Sequence, residues 1–400
     1  MTMNNSYDEE LTAAWDDFCD QLKLAGRIPF RAQVPPHEVD RTAGFRLLAR
    51  NVSLALQFQY ENNDPLHPEL LHYFDPLRKQ GGDNTDALYV GAPINGADTY
   101  RIYGHRGSAK YFAVTTVEGG GTPWGGAVVQ TLLAKDLSIA PDGTFELIAS
   151  PTPPASIGPG VNWIRTNPNT FRITFRQFFA DWENEKPMNA NIERITGDNA
   201  PPQITAEKLS RGLHDAVRWI HESVNYWADM LEMWKKRPNE FLSYRQLDDN
   251  PLDVTPGGDP MIAYWQLPPG EAVILRVRPP QAPYWAVEFG NYWWETMDYR
   301  YRLSNTNCHY AQLEDDGELI IVISRDDPGL PNWLDPSGFA EGYICFRWMG
   351  ADSCPVPQAT QVKRSELMQH LPAHIKRFTP EQRREQLAAR RRGVINRFGT

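Results

Sequence analysis

The feature that most constrains this chain is that it repeats itself over a long distance. Tyr111-Phe112-Ala113-Val114 recurs as Tyr284-Trp285-Ala286-Val287. Asp142-Gly143-Thr144-Phe145-Glu146-Leu147-Ile148-Ala149-Ser150 returns as Asp316-Gly317-Glu318-Leu319-Ile320-Ile321-Val322-Ile323-Ser324. Prolines and an Asn-Trp pair follow each serine, Asn162-Trp163 and then Asn332-Trp333, and each stretch closes on Phe-Arg, Phe175-Arg176 and Phe346-Arg347. The order is kept at offsets of 173, 174, 170 and 171 residues. Two copies of so long a unit predict paired domains, since solenoids need three or more shorter repeats. Paired domains leave a cleft between them, a favoured place for ligands.

The whole chain of 400 residues has room for two or three domains, and its 41% hydrophobic and 22% charged residues are those of a globular protein. The longest apolar runs fall short of the eighteen residues a membrane helix needs. The polar start Met1-Thr2-Met3-Asn4-Asn5 lacks the apolar stretch of a secretory signal, so a cytoplasmic location is expected. Cys19, Cys308, Cys345 and Cys354 are scattered and read as free thiols. Of the net charge of −10, residues 361–400 contribute +7 and residues 1–360 contribute −17. An acidic body argues against nucleic acid as partner. The basic tail is a solvated helix face or a docking element for an acidic surface, that of a second subunit in a homo-oligomer included.

Residues 1–80 read as a helical N-terminal region, with Leu11, Trp15, Phe18 and Leu22 on one helix face and Pro35-Pro36 ahead of a second helix. Short aromatic and β-branched runs between turn signals make 81–200 a first β-sandwich unit. The seam Leu209, Leu213, Val217, Ile220, Val224, Trp227, Leu231 and Trp234 predicts a long connecting helix within 201–250, N-capped by Thr205 and packed against both β units. Residues 251–357 form the second β-sandwich unit. Residues 358–400 form a basic helical tail in which Thr379-Pro380-Glu381-Gln382 opens a helix with a capping box.

The chain has no G-x-S-x-G elbow, Walker phosphate loop or H-E-x-x-H pair, so no cofactor is predicted. No metal is predicted either. His370 and His374 are interrupted by Pro372, and His214 and His221 lie two helical turns apart. The densest polar constellation follows Tyr292-Trp293-Trp294 and holds Glu295, Asp298, Arg300, Asn305, Asn307 and His309. A carboxylate, a guanidinium and an imidazole can perform acid–base chemistry if one cavity gathers them. The same residue types also serve loops, where Asx side chains close turns on their own backbone. Asn332-Trp333, kept in both units, leans towards structure; Asp335 ends the same loop. Gly81-Gly82-Asp83-Asn84-Thr85-Asp86 and His105-Arg106-Gly107 are polar turns that either face a ligand or close a hairpin.

Several stretches resemble the uncharacterised bacterial family known as domain of unknown function 1214. They are Asn84–Tyr89, Tyr100–Gly107 and Phe179-Ala180-Asp181-Trp182-Glu183, then Tyr284-Trp285, Trp294–Tyr299 and Asp327-Pro328-Gly329-Leu330-Pro331-Asn332-Trp333-Leu334-Asp335. Where the family usually steps Ser-Leu-Asn, this chain reads Leu303-Ser304-Asn305-Thr306-Asn307, which leaves two asparagines as its equivalent. The resemblance implies tandem jelly-roll-like β domains and no settled reaction.

The expectation is therefore a mainly β protein with helices, built from two related sandwich units. Its expected function is that of an enzyme acting on a small apolar or aromatic molecule by cofactor-independent acid–base chemistry, as a lyase, isomerase or hydrolase. Asp298 or His309 would be the base, and Arg300 would hold an anionic group. Trp293, Trp294, Asn305, Asn307, Trp333, Asp335, Asn84 and His105 would bind the substrate. The alternatives are a non-catalytic binder of small molecules or carbohydrate, and a subunit whose Trp-rich face is a protein interface.

Overall fold

The computed structural model describes residues 6–155, 158–195, 197, 200–243, 258 and 260–399. The expected boundary at 250/251 lies outside them. Helices α1 (Ser6–Ala25) and α2 (Glu38–Leu56) both pack on the long α3 (Ala206–Lys235). Thr205 caps α3 by accepting a bond from the Lys208 amide at 3.2 Å. Leu213, Val217, Ile220, Val224, Leu231 and Trp234 of its expected seam are buried, and Leu209 and Trp227 are half-buried. On α1 the expected face holds only in part: Phe18 is buried, whereas Trp15 is exposed.

The strands of the first unit are β1 (Leu71–His72), β2 (Ala87–Pro93), β3 (Tyr100–His105), β4 (Tyr111–Glu118), β5 (Val128–Leu133), β6 (Thr144–Ser150), β7 (Val161–Arg165), β8 (Thr170–Phe178) and β9 (Asn189–Arg194). Those of the second are β10 (Leu242–Ser243), β11 (Met261–Gln266), β12 (Glu271–Val277), β13 (Tyr284–Phe289), β14 (Asn305–Asn307), β15 (Leu319–Ile323), β16 (Trp333–Leu334), β17 (Glu341–Met349) and β18 (Gln358–Lys363). The first unit arranges its strands as β1-β2-β8-β4-β5 and β7-β6-β3-β9. The second follows the same order, β10-β11-β17-β13-β14 and β16-β15-β12-β18. Even the parallel pairs, β6 with β7 and β15 with β16, correspond. The sequence repeat is thus a repeat of topology.

Two edges differ from the expected divisions. β1 falls inside the region read as helical to residue 80, because its two residues are too few to show a period-two pattern; it pairs with Val90 and Gly91 of β2. β18 falls inside the region read as a helical tail, yet it pairs with β12 along its whole length. The helical part of the tail begins with a short 3₁₀ stretch, Arg364–His370, and continues in α4 (Pro380–Phe398) after the Thr379 capping box.

Period-two alternation gives each five-stranded sheet two jobs. In the first unit Leu88, Val90, Phe112, Val114, Ile173 and Phe175 point into the unit's own core, against Ile102 and Leu147 of the four-stranded sheet. Their neighbours of opposite parity, among them Ala87 and Phe178, meet Tyr284, Ala286 and Met349 of the second unit. The two units therefore pack through the outer faces of their five-stranded sheets, and sandwich-like cores lie behind each face.

Candidate functional site

Where these outer faces part, they leave a cavity of about 190 Å³. Tyr89, Arg172, Thr174 and Arg176 line it from the first unit, and Ile262, Glu288, Cys345 and Arg347 from the second. Five further aromatic residues add to its wall. Tyr73 and Phe74 come from the segment after β1, Trp124 from the β4–β5 hairpin, Trp227 from α3 and Trp294 from the loop after β13.

The local backbone is built for close approach. Gly81 has φ +63°, and a Cβ there would lie 2.5 Å from the Trp227 ring. Gly82, at φ +70°, donates its amide to the Trp294 carbonyl at 2.8 Å. Trp294 itself sits at φ +55°, which a bulky side chain rarely adopts. Stacking on Tyr343, with centroids 4.7 Å apart, holds it there. Trp124 is pinned among Phe58, Phe74 and Trp219, and the Trp219 indole donates to the Pro123 carbonyl at 2.9 Å.

The cavity's polar groups divide into satisfied and unsatisfied ones. Arg347 donates to both oxygens of Glu288, at 3.0 and 2.8 Å. Burial raises the Glu288 carboxyl above its ordinary value, although Arg347 pulls the other way. Arg176 donates to the Thr115 hydroxyl. Arg172 lies over the Phe58 ring at 4.4 Å and has no hydrogen-bond or ion-pair partner among the described residues. Among the described residues the buried indole N–H groups of Trp124, Trp227 and Trp294 have no acceptor, and Gln80 Oε1 has no donor. The Gln80 amide nitrogen is already committed to Asn51 and Ser223. Such a set of unpaired groups around an apolar space is what a ligand site needs, because buried polar atoms are normally satisfied.

A second, more open cleft of about 990 Å³ lies on the other side of the Trp294 loop and is lined by Asp298, Glu295, Arg50, Lys79 and Arg302 among others. These charges are spoken for within the protein. Arg50 pairs with Glu295 and Arg302 with Asp335, the latter at 2.9 Å. Lys79 gives its ammonium to Thr296 O, Thr296 Oγ1 and Met297 O at 2.8, 2.9 and 2.7 Å. Asp298 pairs with Arg300 at 3.1 Å. Burial works to raise the Asp298 carboxyl, but the bonds and charge of Arg300 hold it below its ordinary value, the wrong direction for a base at neutral pH.

The residues singled out from sequence are distributed over several places. His309 lies 3.8 Å from Asp181, apart from the cleft that Asp298 lines, so neither cavity gathers Asp298, Arg300 and His309. Trp294 lines the inter-unit cavity; Trp293 instead donates to the Asp40 carbonyl at 2.8 Å. Asn305 and Asn307 donate to Asp86 at 2.7 and 2.9 Å, together with Trp182 at 2.9 Å and Tyr284 at 2.7 Å. Asn84 accepts the Asp86 amide. This buried carboxylate ties the units together, and desolvation raises its pKa. Trp333 donates to the Ser324 carbonyl, as Trp163 does to the Ser150 hydroxyl. Asp335 also accepts the Ser337 amide, and His105 bonds the Asp142 carbonyl at a hairpin.

The basic tail folds back on its own chain. Arg383 pairs with Asp327 at 2.9 Å, Arg390 donates to Asn305, and Arg397 donates to the Thr85 carbonyl at 2.8 Å. Its three buried arginines are thus engaged within the chain, where the sequence had also left a partner subunit open. Among the described residues no group of three or more His, Cys, Asp or Glu is placed to hold a metal, and no helix is long and apolar enough to cross a membrane.

Sequence reasoning passed over Arg172, Arg176, Glu288 and Arg347 as site residues. The signal was present: the Phe-Arg that closes each repeat places its arginine in this cavity from both sides.

The family described as "Protein of unknown function (DUF1214)" matches residues 85–181, most of the first unit. A solved structure of a putative uncharacterized protein from Burkholderia cenocepacia is 32% identical, with a TM-score of 0.82; the match covers 89% of this chain and 99% of that one. A solved protein from Vibrio parahaemolyticus is 13% identical over 86% of this chain and 99% of its own, with a TM-score of 0.45, too loose a likeness to carry an argument. No curated protein matches the chain.

Proposed function

The chain belongs to the DUF1214 family, whose function is unknown, and we propose that it binds a small, largely aromatic molecule in the cavity between its two β units. The observation that carries this reading is the set of unpaired indole N–H groups and the unpaired Gln80 oxygen around an aromatic space. A volume of about 190 Å³ suits one ring better than a sugar chain. We read each unit as jelly-roll-like, and the four free cysteines favour a cytoplasmic setting. Trp293 and Trp294 are 1% and 4% exposed, which weighs against a Trp-rich protein interface.

A panel of one-ring compounds should raise the melting temperature of the protein and quench its tryptophan emission. Val128→Trp, which fills the cavity from half-buried β5, should abolish both effects. Equal responses in that variant would place the binding site elsewhere.

The enzyme reading survives in one form. Glu288 is the carboxyl the cavity encloses, and its raised pKa suits acid–base work in a lyase, isomerase or hydrolase. Glu288→Gln should then keep ligand binding and lose turnover of the same compound. Turnover that persists in this variant would remove Glu288 from the chemistry.

A further inference from the structure

We propose that the ligand is a one-ring carboxylic acid, bound as its carboxylate and anchored by Arg172. This rests on the reading of the inter-unit cavity as a ligand site. It adds the charge and size of the occupant.

The charge follows from comparing the two units at equivalent positions. Ala113 stands opposite Arg176 across β4 and β8, and Ala286 stands opposite Arg347 across β13 and β17. Two residues further along each strand is the arginine's partner. In the second unit it is Glu288, which takes the Arg347 guanidinium by two hydrogen bonds. In the first unit the same place holds Thr115, a neutral hydroxyl. Arg176 therefore keeps its charge uncompensated. Arg172, four residues earlier on the same face of β8, has no carboxylate partner either. The lining thus carries three arginines against one glutamate among the described residues.

Arg172 is the better anchor of the two. Aromatic rings hold it, its guanidinium carbon lying 4.4 Å from the Phe58 centroid and 5.5 Å from that of Phe171. Ring contacts of this kind hold a guanidinium in place without supplying hydrogen-bond acceptors for its N–H donors. Those donors match the two oxygens of a carboxylate. Removal of a charge from water into an apolar wall is costly unless it is paired, and none of the described residues supplies the pair. A purely structural role, in which the aromatic faces alone hold Arg172, is the competing account.

The size follows from the volume. A dry cavity of about 150 Å³ holds benzene, so about 190 Å³ holds one ring and a short acidic arm. The ring would lie among Tyr73, Trp124, Trp227 and Trp294, and Gln80 Oε1 offers an acceptor for a hydroxyl on it.

The test pairs benzoate, phenylacetate and hydrocinnamate with their uncharged amides, titrated calorimetrically into the full-length protein. At least one acid should bind ten-fold or more tighter than its amide. Arg172→Met should remove that preference by weakening the acid about 10- to 100-fold while leaving the amide unchanged, and Arg172→Lys should retain part of it. Arg176→Met should weaken the acid less. The near-ultraviolet spectrum and melting temperature of each variant report whether it folds; if Arg172→Met does not fold, the wild-type acid–amide ratio and its Arg172→Lys value decide. Equal binding of acid and amide by the wild type, or an acid preference untouched in Arg172→Met, would overturn the inference and leave the cavity reading standing. Binding of neither class would overturn both.

Discussion

The two β units share a topology strand for strand, yet they treat the same arginine differently. Arg347 sits in a two-bonded ion pair with Glu288, a carboxylate only 1% exposed. Arg176, its counterpart, has only the Thr115 hydroxyl among the described residues. Elsewhere the copies do the same work. Asn162 clips the Ser138 backbone to β6 through three bonds, and Asn332 clips Gln312 to β15 in the same way. The two units thus share the framework and differ in one charge pair. A symmetric interface would be charge-balanced on both sides, whereas this one is left positive on the first unit's side, where an acidic ligand can complete it.

Five substitutions would break or sharpen that contrast. Arg347→Met strands the Glu288 carboxylate and should cost about 3–5 kcal/mol in urea unfolding at pH 7. Arg176→Met, which removes one hydrogen bond, should cost about 1 kcal/mol; equal losses would mean that the two arginines are not in different states. The Arg347→Met loss should also depend on pH. Burial already raises Glu288 above its ordinary value of 4.5, so the folded state holds that proton more tightly than the unfolded one. Stability is then fully present below 4.5 and falls as pH climbs through the raised value. A flat profile between pH 4 and pH 8 would contradict it.

The framework asparagines provide the control. Asn162→Ala and Asn332→Ala should each cost about 1–3 kcal/mol by leaving backbone groups unpaired, and the two values should agree within about 1 kcal/mol. A large disparity would show that the copies are not equivalent even where their bonds match. The smallest expected effect is the most pointed. Thr115→Glu copies the second unit's pairing into the first and should lower the affinity for one-ring carboxylates about ten-fold by neutralising Arg176, with little change for their amides. Unchanged acid binding would mean that the field of Arg176 does not reach the ligand.

Much of the fold was legible because repetition and periodicity are local signals. The Asp-Gly turns, the Asn-Trp pairs and the α3 seam each lie within a few residues, and each recurs or keeps a regular step. The short strand at Leu71–His72 was not legible, since two residues carry no period. The site was harder. Asp298, Arg300 and His309 are close in sequence, but Asp298 and Arg300 pair with each other while His309 turns to Asp181. Arg172, Arg176, Glu288 and Arg347 are as much as 175 residues apart, and only the packing of two outer sheet faces brings them to one cavity.

The sequence by itself determined that this protein has two like β units, a long helix between them and a basic tail, because hydrophobic period and turn chemistry act over a few residues. It also placed an arginine at the close of each repeat. Only the tertiary structure decided which groups are spent and which are free. The indoles of Trp227 and Trp294, the Gln80 oxygen and the Arg172 edge are ordinary residues in the chain. They become a candidate site because the packing of the described residues supplies them no partners, and that depends on geometry that no local pattern encodes.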